Sequence, residues 1–352
     1  MDSRINGGPH DTAASAGLEA RMRPTRRRLA TLLLASPWAS LVAQPSVQLR
    51  LIGVLSLNRA GSDVAQFEAA TLRQALRAVG LEEGRQLQIH WRYADTDLAR
   101  LASQADELVR LDVALILAVT NAALEAAMHA TRRIPVVVIA AVLPVELGLV
   151  RSLAQPGGNV TGTAWASVEI SGKVLQVLRD AVPRAARVAM LVSSAEPGMA
   201  LYLVENRRAA QAMGLTTEVI DLAGQAGQAS LATALRRVAA SRPDALFVGS
   251  EGLAGSQLGE IAAFAQRQRL PAIGVTPQFI AAGGALYYGP NLASLAGRTA
   301  SFVARILAGA APADLPMELP TKYDLIINRK ALRAIGLNVP NTLLQRADEV
   351  IE

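Results

Sequence analysis

The chain has 352 residues, no cysteine, and 35 basic against 29 acidic side chains, with a formal charge of +6 and an isoelectric point near 10.1. The missing cysteine excludes a disulfide framework, a thiolate metal site and an acceptor for lipoprotein anchoring. Six of the basic and three of the acidic residues lie in residues 1–43, which leaves 29 against 26 elsewhere, scattered and accompanied by only 4% aromatics; nucleic-acid binding is therefore disfavoured, because neither a phosphate-tracking groove nor base-stacking platforms are indicated.

At the N-terminus, Arg23, Arg26, Arg27 and Arg28 precede an apolar run from Leu29 to Leu34, which continues after Ser36 and Pro37 to Ala43. A charged region, a short apolar region and a small-residue exit are the layout of a secretory signal. The apolar part falls well short of the roughly 20 residues that span a bilayer. The best exit is after Ala43, with Leu41 an imperfect residue two positions before it; Met22 is a candidate start, and residues 1–21 add nothing to the signal. Thr25 to Leu29, TRRRL, also loosely fits a twin-arginine signal. The alternative is a disordered basic tail on a cytoplasmic protein. The expected location is periplasmic, as a soluble monomer without a lipid anchor.

About 309 residues then remain, above the size at which one core usually keeps growing, so two domains are expected. The strand Leu49 to Leu57 leads to an amphipathic helix from about Asp63 to Val79, stopped at Gly80. The strand LQIHWRY (87–93) follows, then a helix capped near Asp95 or Asp97 and running to Leu111. Strands Ala114 to Val119 and Val136 to Val142 bracket a helix from Ala122 to Thr131. These strands are near-continuous apolar runs, the mark of burial on both faces of a parallel sheet. After PGGNVTG, read as a turn, the same grammar restarts: helix Ser171 to Ala181, strand Arg187 to Ser193, helix Ala200 to Met213, strand Thr217 to Leu222, helix Ser230 to Ser241. Strands Ala245 to Gly249 and Ala272 to Val275 flank a helix from Leu258 to Arg269.

The last 47 residues, from Ile306, begin with a helix end. Pro312, Pro316 and Pro320 each fix φ and remove a backbone donor, so residues 311–321 form a stiff extended connector. Beyond it come a strand, Tyr323 to Asn328, and a short helix, Lys330 to Ile335, stopped by Gly336 with Pro340 just past it.

This C-terminal stretch closely resembles that of the bacterial ABC-transporter substrate-binding family typified by the tryptophan/tyrosine-type binding proteins. Four further matches carry the resemblance: PGGNVTG at Pro156 to Gly162, SGK at Ser171 to Lys173, AVP at Ala181 to Pro183 and YGPN at Tyr288 to Asn291. Together they cover roughly residues 50–352. The resemblance implies a type I periplasmic binding protein fold, an α/β architecture of two doubly wound parallel-sheet lobes joined by crossovers. The crossovers are expected near Gly162 to Trp165, Gly289 to Leu292 and Pro312 to Tyr323, with helix Leu292 to Ala308 on the first lobe and the tail on the second. The expected division is 1–43 tail and signal, 48–162 plus 291–312 N-terminal lobe, and 163–290 plus 313–352 C-terminal lobe.

Catalytic motifs are missing. There is no G-x-S-x-G, no H-E-x-x-H and no G-x-G-x-x-G after the first strand of either lobe, and Ser171-Gly172-Lys173 lacks the upstream glycine of a phosphate-binding loop, since Ser167 stands there. His10, His90 and His129 are the only histidines. His90, alternating within a strand beside Trp91, reads as a structural side chain, and His129 suits a helix C-terminus. An enzyme is therefore not expected, nor a cofactor or a metal.

What remains is polar residues at strand ends: Ser56 and Asn58, Thr120 and Asn121, Ser193 and Ser194, Ser250 and Glu251, and Thr276. Each suits a helix cap, and a helix N-terminus with a hydroxyl also suits a carboxylate, which singles out Thr120-Asn121 and Ser193-Ser194 as candidate anion sites. Trp165 suits ligand stacking or core packing, and Tyr288, beside Gly289 and Pro290, a hinge. Members of the resembling family commonly carry Asp-Pro-Val where this chain reads Leu143-Pro144-Val145. A carboxylate there is expected to pair with a ligand ammonium, so Leu143 implies a preference for ligands without an α-amine, unless the position only starts a turn. The reading that results is an exported carrier that closes on a small amino-acid-like or carboxylate solute and delivers it to a permease and ATPase. The alternative is a ligand sensor of the same fold acting with a membrane receptor.

Overall fold

The computed structural model describes residues 49–165, 167–194, 199–222, 228–249 and 257–352. The expected export signal and cleavage point, Ser250 and Glu251 lie outside the described residues. Strands β1 (Arg50–Ser56), β2 (Leu87–Tyr93), β3 (Leu115–Val119), β4 (Val136–Val142) and β5 (Val160–Trp165) form one sheet in the order β2-β1-β3-β4-β5, parallel throughout. The second sheet contains β6 (Arg187–Val192), β7 (Thr216–Asp221), β8 (Ala245–Val248), β9 (Ala272–Gly274), β10 (Leu286–Pro290), β11 (Tyr323–Asn328) and β12 (Glu349–Ile351), ordered β12-β11-β10-β9-β8-β6-β7. Only its β10–β11 pair is antiparallel. The run β7-β6-β8-β9-β10 repeats the order of the first sheet, so the chain builds the same parallel unit twice and then adds two strands to the second.

Eleven α-helices stand among the described residues: α1 (Asp63–Ala78), α2 (Leu98–Arg110), α3 (Thr120–Ala130), α4 (Ser167–Ala181), α5 (Met199–Ala212), α6 (Gln228–Ser241), α7 (Leu258–Arg267), α8 (Gln278–Ala281), α9 (Leu292–Leu307), α10 (Arg329–Ala334) and α11 (Asn341–Leu344). Local chemistry sets several of their ends. Ser62 caps α1 by accepting from the Ala65 N–H at 3.3 Å. Asp97, rather than Asp95, caps α2 through the Ala99 and Arg100 N–H groups at 2.8 and 3.1 Å. Asp95 instead takes a left-handed φ of 52° and pairs with Arg100 at 2.6 Å.

Both faces of each sheet are covered, as the continuous apolar strands require. On the first sheet, Leu101 and Leu108 of α2 and Leu124 of α3 pack on one face with Leu55 and Ile116, while Leu72 and Leu76 of α1 and Phe302 and Val303 of α9 pack on the other with Ile52, Val54 and Leu117. Helix α9 follows β10 in the sequence yet packs against α1, β4 and β5. The second sheet is covered by α4, α5 and α10 on one face and by α6, α7 and α8 on the other.

Strand β5 was expected as a turn followed by a crossover. Its β-branched Val160, Thr161 and Thr163 are all buried, and it pairs with β4 from Val136↔Val160 to Val142↔Trp165, carrying the first sheet past the expected exchange at residue 162. The ladder is interrupted by a bulge between Val138 and Ala141, where Ala140 takes φ 58° and its N–H is held by the Thr163 hydroxyl at 2.9 Å. The proline connector lies along the other side of β5: the Ala164 N–H donates to Glu318 and the Glu318 N–H to Gly162, at 2.9 and 3.0 Å, and the Thr161 hydroxyl donates to the Leu315 carbonyl at 2.7 Å. The tail is also more structured than expected, since α11 and β12 follow α10 and β12 extends the second sheet beside β11.

Gly162 is the tightest point of this seam. Its φ is 138°, and a Cβ there would lie 2.1 Å from the Val138 carbonyl oxygen, a backbone atom that cannot move without breaking the β4–β5 ladder. Gly162→Ala is expected to lose about 3 kcal/mol or to prevent folding, as read by urea denaturation; a loss no larger than that of an exposed substitution would show that the seam tolerates a side chain.

Candidate functional site

In an open parallel sheet of order 2-1-3-4-5, helices diverge to opposite faces at the β1/β3 boundary, and a crevice opens beyond the strand C-termini. A cleft of this protein lies there. It encloses about 130 Å³ between the C-terminal edge of the first sheet, α1, the start of α9 and residues 275–278 of the second lobe. One water needs about 10–15 Å³ on such a measure, so the space suits a small organic solute.

The expected site residues divide into three groups. Ser56, Asn58, Thr120, Trp165 and Thr276 all line the cleft. Ser56 is buried and its hydroxyl accepts from the Asn58 N–H at 3.2 Å. Thr120 opens α3 with φ 80°, and no side chain caps this helix among the described residues. Trp165 ends β5, buried in the second lobe's core while reaching the cleft wall.

Asn121, Leu143, Ser193, Ser194 and Tyr288 are not among the lining residues. The Asn121 amide clamps β4 to α3, donating to the Val142 carbonyl at 2.7 Å and accepting from its N–H at 2.9 Å. Ser193 is buried, and Ser194 spends both its N–H and its hydroxyl on the Asp221 carboxylate at 2.8 and 2.6 Å, so Ser194 already holds an anion belonging to the chain itself. Tyr288 stacks on Tyr323 across the β10–β11 pair with ring centroids 6.1 Å apart, a brace where the chain crosses between lobes. Leu143 is 8% exposed, takes φ 47° and starts a turn by accepting from the Leu147 N–H at 3.0 Å. Ser250 and Glu251 are outside the described residues.

The cleft also contains Glu68, which the sequence reading passed over, together with Phe67, Thr71, Trp91 and Gln278. A signal for Glu68 was present: it stands three residues after Ala65 and four before Leu72, on the buried stripe of α1, where a carboxylate is out of place. The Asn58 amide nitrogen reaches both carboxylate oxygens, at 3.0 and 2.9 Å. Burial raises the carboxyl and outweighs the lowering effect of that amide, leaving it pushed up to about 7. Beside it Tyr93 is also raised, first by its own burial and then by the Glu68 charge. Arg73, one turn along α1, is engaged elsewhere: its Nε meets Glu83 at 2.6 Å and its guanidinium lies 5.1 Å from the Trp91 ring centroid. The Trp91 ring stacks on Tyr93 at 5.9 Å, and its buried indole N–H has no hydrogen-bond partner.

Among the described residues no three His, Cys, Asp or Glu side chains cluster to hold a metal ion, and no helix is long and apolar enough to cross a membrane. Residues 63–351 match the family described as ABC transporter substrate binding protein. The Tyrosine-binding protein of Clostridioides difficile (strain R20291) is 25% identical over 287 residues, which are 78% of this chain and 79% of that protein. Among solved structures, an ABC domain in complex with L-Trp from Streptococcus pneumonia superposes with a TM-score of 0.78 at 23% identity, covering 86% of this chain and 100% of that one. A conserved domain protein from Vibrio cholerae gives 0.77 at 21% identity, with the same coverage. The ligand-free, open structure of a substrate binding protein with adhesive properties from Clostridium difficile gives 0.62 at 23% identity, covering 86% and 99%. At these identities the structures establish the shared fold.

The Glu68 carboxyl carries a stability consequence. Its folded value, about 7, lies above the ordinary 4.5, so folding binds a proton between the two. Stability from this group is therefore complete below about pH 4.5 and is lost as the pH rises through 7. Glu68→Gln, which keeps an acceptor for Asn58, is expected to stabilise the ligand-free protein by about 1–3 kcal/mol at pH 8 and by little at pH 4.5. Chemical denaturation at the two pH values measures the difference; an equal effect at both would mean that the carboxyl is solvated like any surface glutamate.

Proposed function

Since the chain belongs to the ABC transporter substrate-binding protein family, we propose that it is the extracytoplasmic solute-binding component of an importer, closing two lobes on a small amino-acid-like solute and delivering it to a membrane permease driven by an ATPase. The observation that carries this reading is the cleft itself, apolar and aromatic over most of its wall, with a few polar groups gathered at strand ends from both lobes. The relative named for tyrosine and the fold shared with a protein in complex with L-Trp favour an aromatic solute. In this reading Phe67, Trp91 and Trp165 take the ring, and the start of α3 at Thr120 receives a carboxylate at the positive end of the helix. Thr276 and Gln278 approach from the second lobe.

The lobes, residues 48–162 plus 291–312 and 163–290 plus 313–352, exchange chain at three crossings, with β5 carrying the first of them on to Trp165. Short crossings laid side by side resist shear and permit bending, so the expected motion is hinge closure, driven by the contacts the solute makes with both lobes. A thermal-shift screen of amino acids, aromatic acids and short carboxylates is expected to raise the melting temperature for one class. The best ligand from it is expected to reduce the radius of gyration in solution scattering, and an unchanged profile at saturation would speak for a rigid scaffold. For export, we propose that residues 1–43 form the signal and that the periplasmic protein begins near Gln44. Mass spectrometry of the exported chain reads that mass directly; recovery of full-length protein from the cytosol alone would reject it.

A further inference from the structure

We propose that Glu68, aimed by Asn58, is the subsite for a protonated amine of the solute, so that the cleft selects ligands carrying an ammonium group. The proposal rests on the reading of the cleft as the solute site, and it names the class of solute. Glu68 lies on the buried stripe of α1 with its carboxylate at the cleft wall. The Asn58 amide spans both oxygens at 3.0 and 2.9 Å and so holds the carboxylate plane. A carboxylate has about four lone-pair sites, and the amide uses two, which leaves the others for a donor entering the cleft.

Among the described residues no cation forms an ion pair with Glu68. Arg73, on the same helix, is bonded to Glu83 and lies over Trp91. On α9 the charged residues are Arg298 and Arg305, and Arg298 is bonded to Glu318 and Thr321. On β2, Arg92 pairs with Glu107 at 2.9 Å, and Tyr93 is a neighbour whose hydroxyl is raised first by its own burial and then by the carboxylate. The burial of Glu68, which outweighs the Asn58 amide, raises the carboxyl to about 7. An ammonium within the cleft supplies both the counter-charge and the missing donors, and the two are worth more there than in water. Phe67 and Trp91 add apolar wall to the same cleft.

Calorimetry on the purified protein with L-tyrosine, tyramine and hydroxyphenylpropionate, and with the matching indole series, separates amine from carboxylate. The two amines of each series are expected to bind more tightly than the acid at pH 8, and to weaken up to about tenfold for each pH unit below 7, because a proton must leave Glu68 before the ammonium docks. Glu68→Gln is expected to weaken the amines at least about 30-fold, to flatten the pH profile and to tighten the acid. Amine affinities within twofold of each other in the two proteins, or a flat profile in the unmodified one, overturn the inference while leaving a solute cleft in place, as does binding of the acids alone. No binding of any probe counts against the amino-acid-like solute itself and takes the inference with it. If the variant proves unfolded by circular dichroism, the pH profile of the unmodified protein decides.

Discussion

A parallel sheet exposes apolar side chains on both faces, and neither face can be left to water. That requirement organises this molecule. The first sheet is completed by β5, and by then the chain has supplied α1 for one face and α2 and α3 for the other. Part of the α1 face remains uncovered over β4 and β5. The helix that closes it, α9, arrives only after the second sheet has been built through β10. The chain must therefore return to the first lobe and then leave again, because β11 pairs with β10 in the second sheet. Crossings between lobes are thus a consequence of covering a core.

The return journey determines where the tight places are. The proline connector runs beside β5, its backbone bonded to Gly162 and Ala164 and to the Thr161 hydroxyl, and Arg298 of α9 reaches Glu318 within it. Prolines suit such a strip because they remove donors that would otherwise need partners and keep the chain extended. Asn291 serves both bodies: it caps α9 through the Ser294 N–H at 2.8 Å and donates to Asp324 of β11 at 2.6 Å. The unusual backbone lies close by, with Thr120 at φ 80° and Ala140 at φ 58° both on the cleft wall. Left-handed non-glycine residues cost about 1–3 kcal/mol each and persist where the surroundings over-determine them. Here the Asn121 clamp on Val142 and the Thr163 hydroxyl on Ala140 do so.

Within that frame Glu68 is an inconsistency between levels. Local pattern asks for an apolar residue at its place on α1, and packing surrounds it with apolar wall, yet a carboxylate stands there, oriented by Asn58. Such conflicts are expected where stability gives way to function. The contrast with Asp244 is instructive. That carboxylate is held low, chiefly by the Ala186 and then the Arg187 N–H groups at the foot of β6, so its charge is fully served by the fold. Glu68 is raised because its burial outweighs the one amide that the fold brings to it.

Much of the architecture was legible in the residues. Continuous apolar strands implied two-face burial, and β2, β4 and β11 run over the residues expected, because side-chain type alone dictates a buried strand bounded by polar turns. Three prolines within nine residues implied an extended connector throughout, but the first of them opens a short 3-10 turn, Pro312–Asp314, because proline's fixed φ also suits the first position of a helix. Strand β5 was hidden because VTGTAW is short, interrupted by glycine and preceded by a turn motif; only the neighbour β4, pressing on Gly162, makes it a strand. At the strand ends the sequence specified residue type but not direction. Ser56, Asn58, Thr120, Trp165 and Thr276 converge on one cleft, whereas Ser194 turns to Asp221 and Leu143 into a turn, because those choices depend on side chains far away in the chain. The state of Glu68 was likewise decided in three dimensions, since a carboxyl's proton affinity follows from the water removed and the donors brought near it, and both come from other elements.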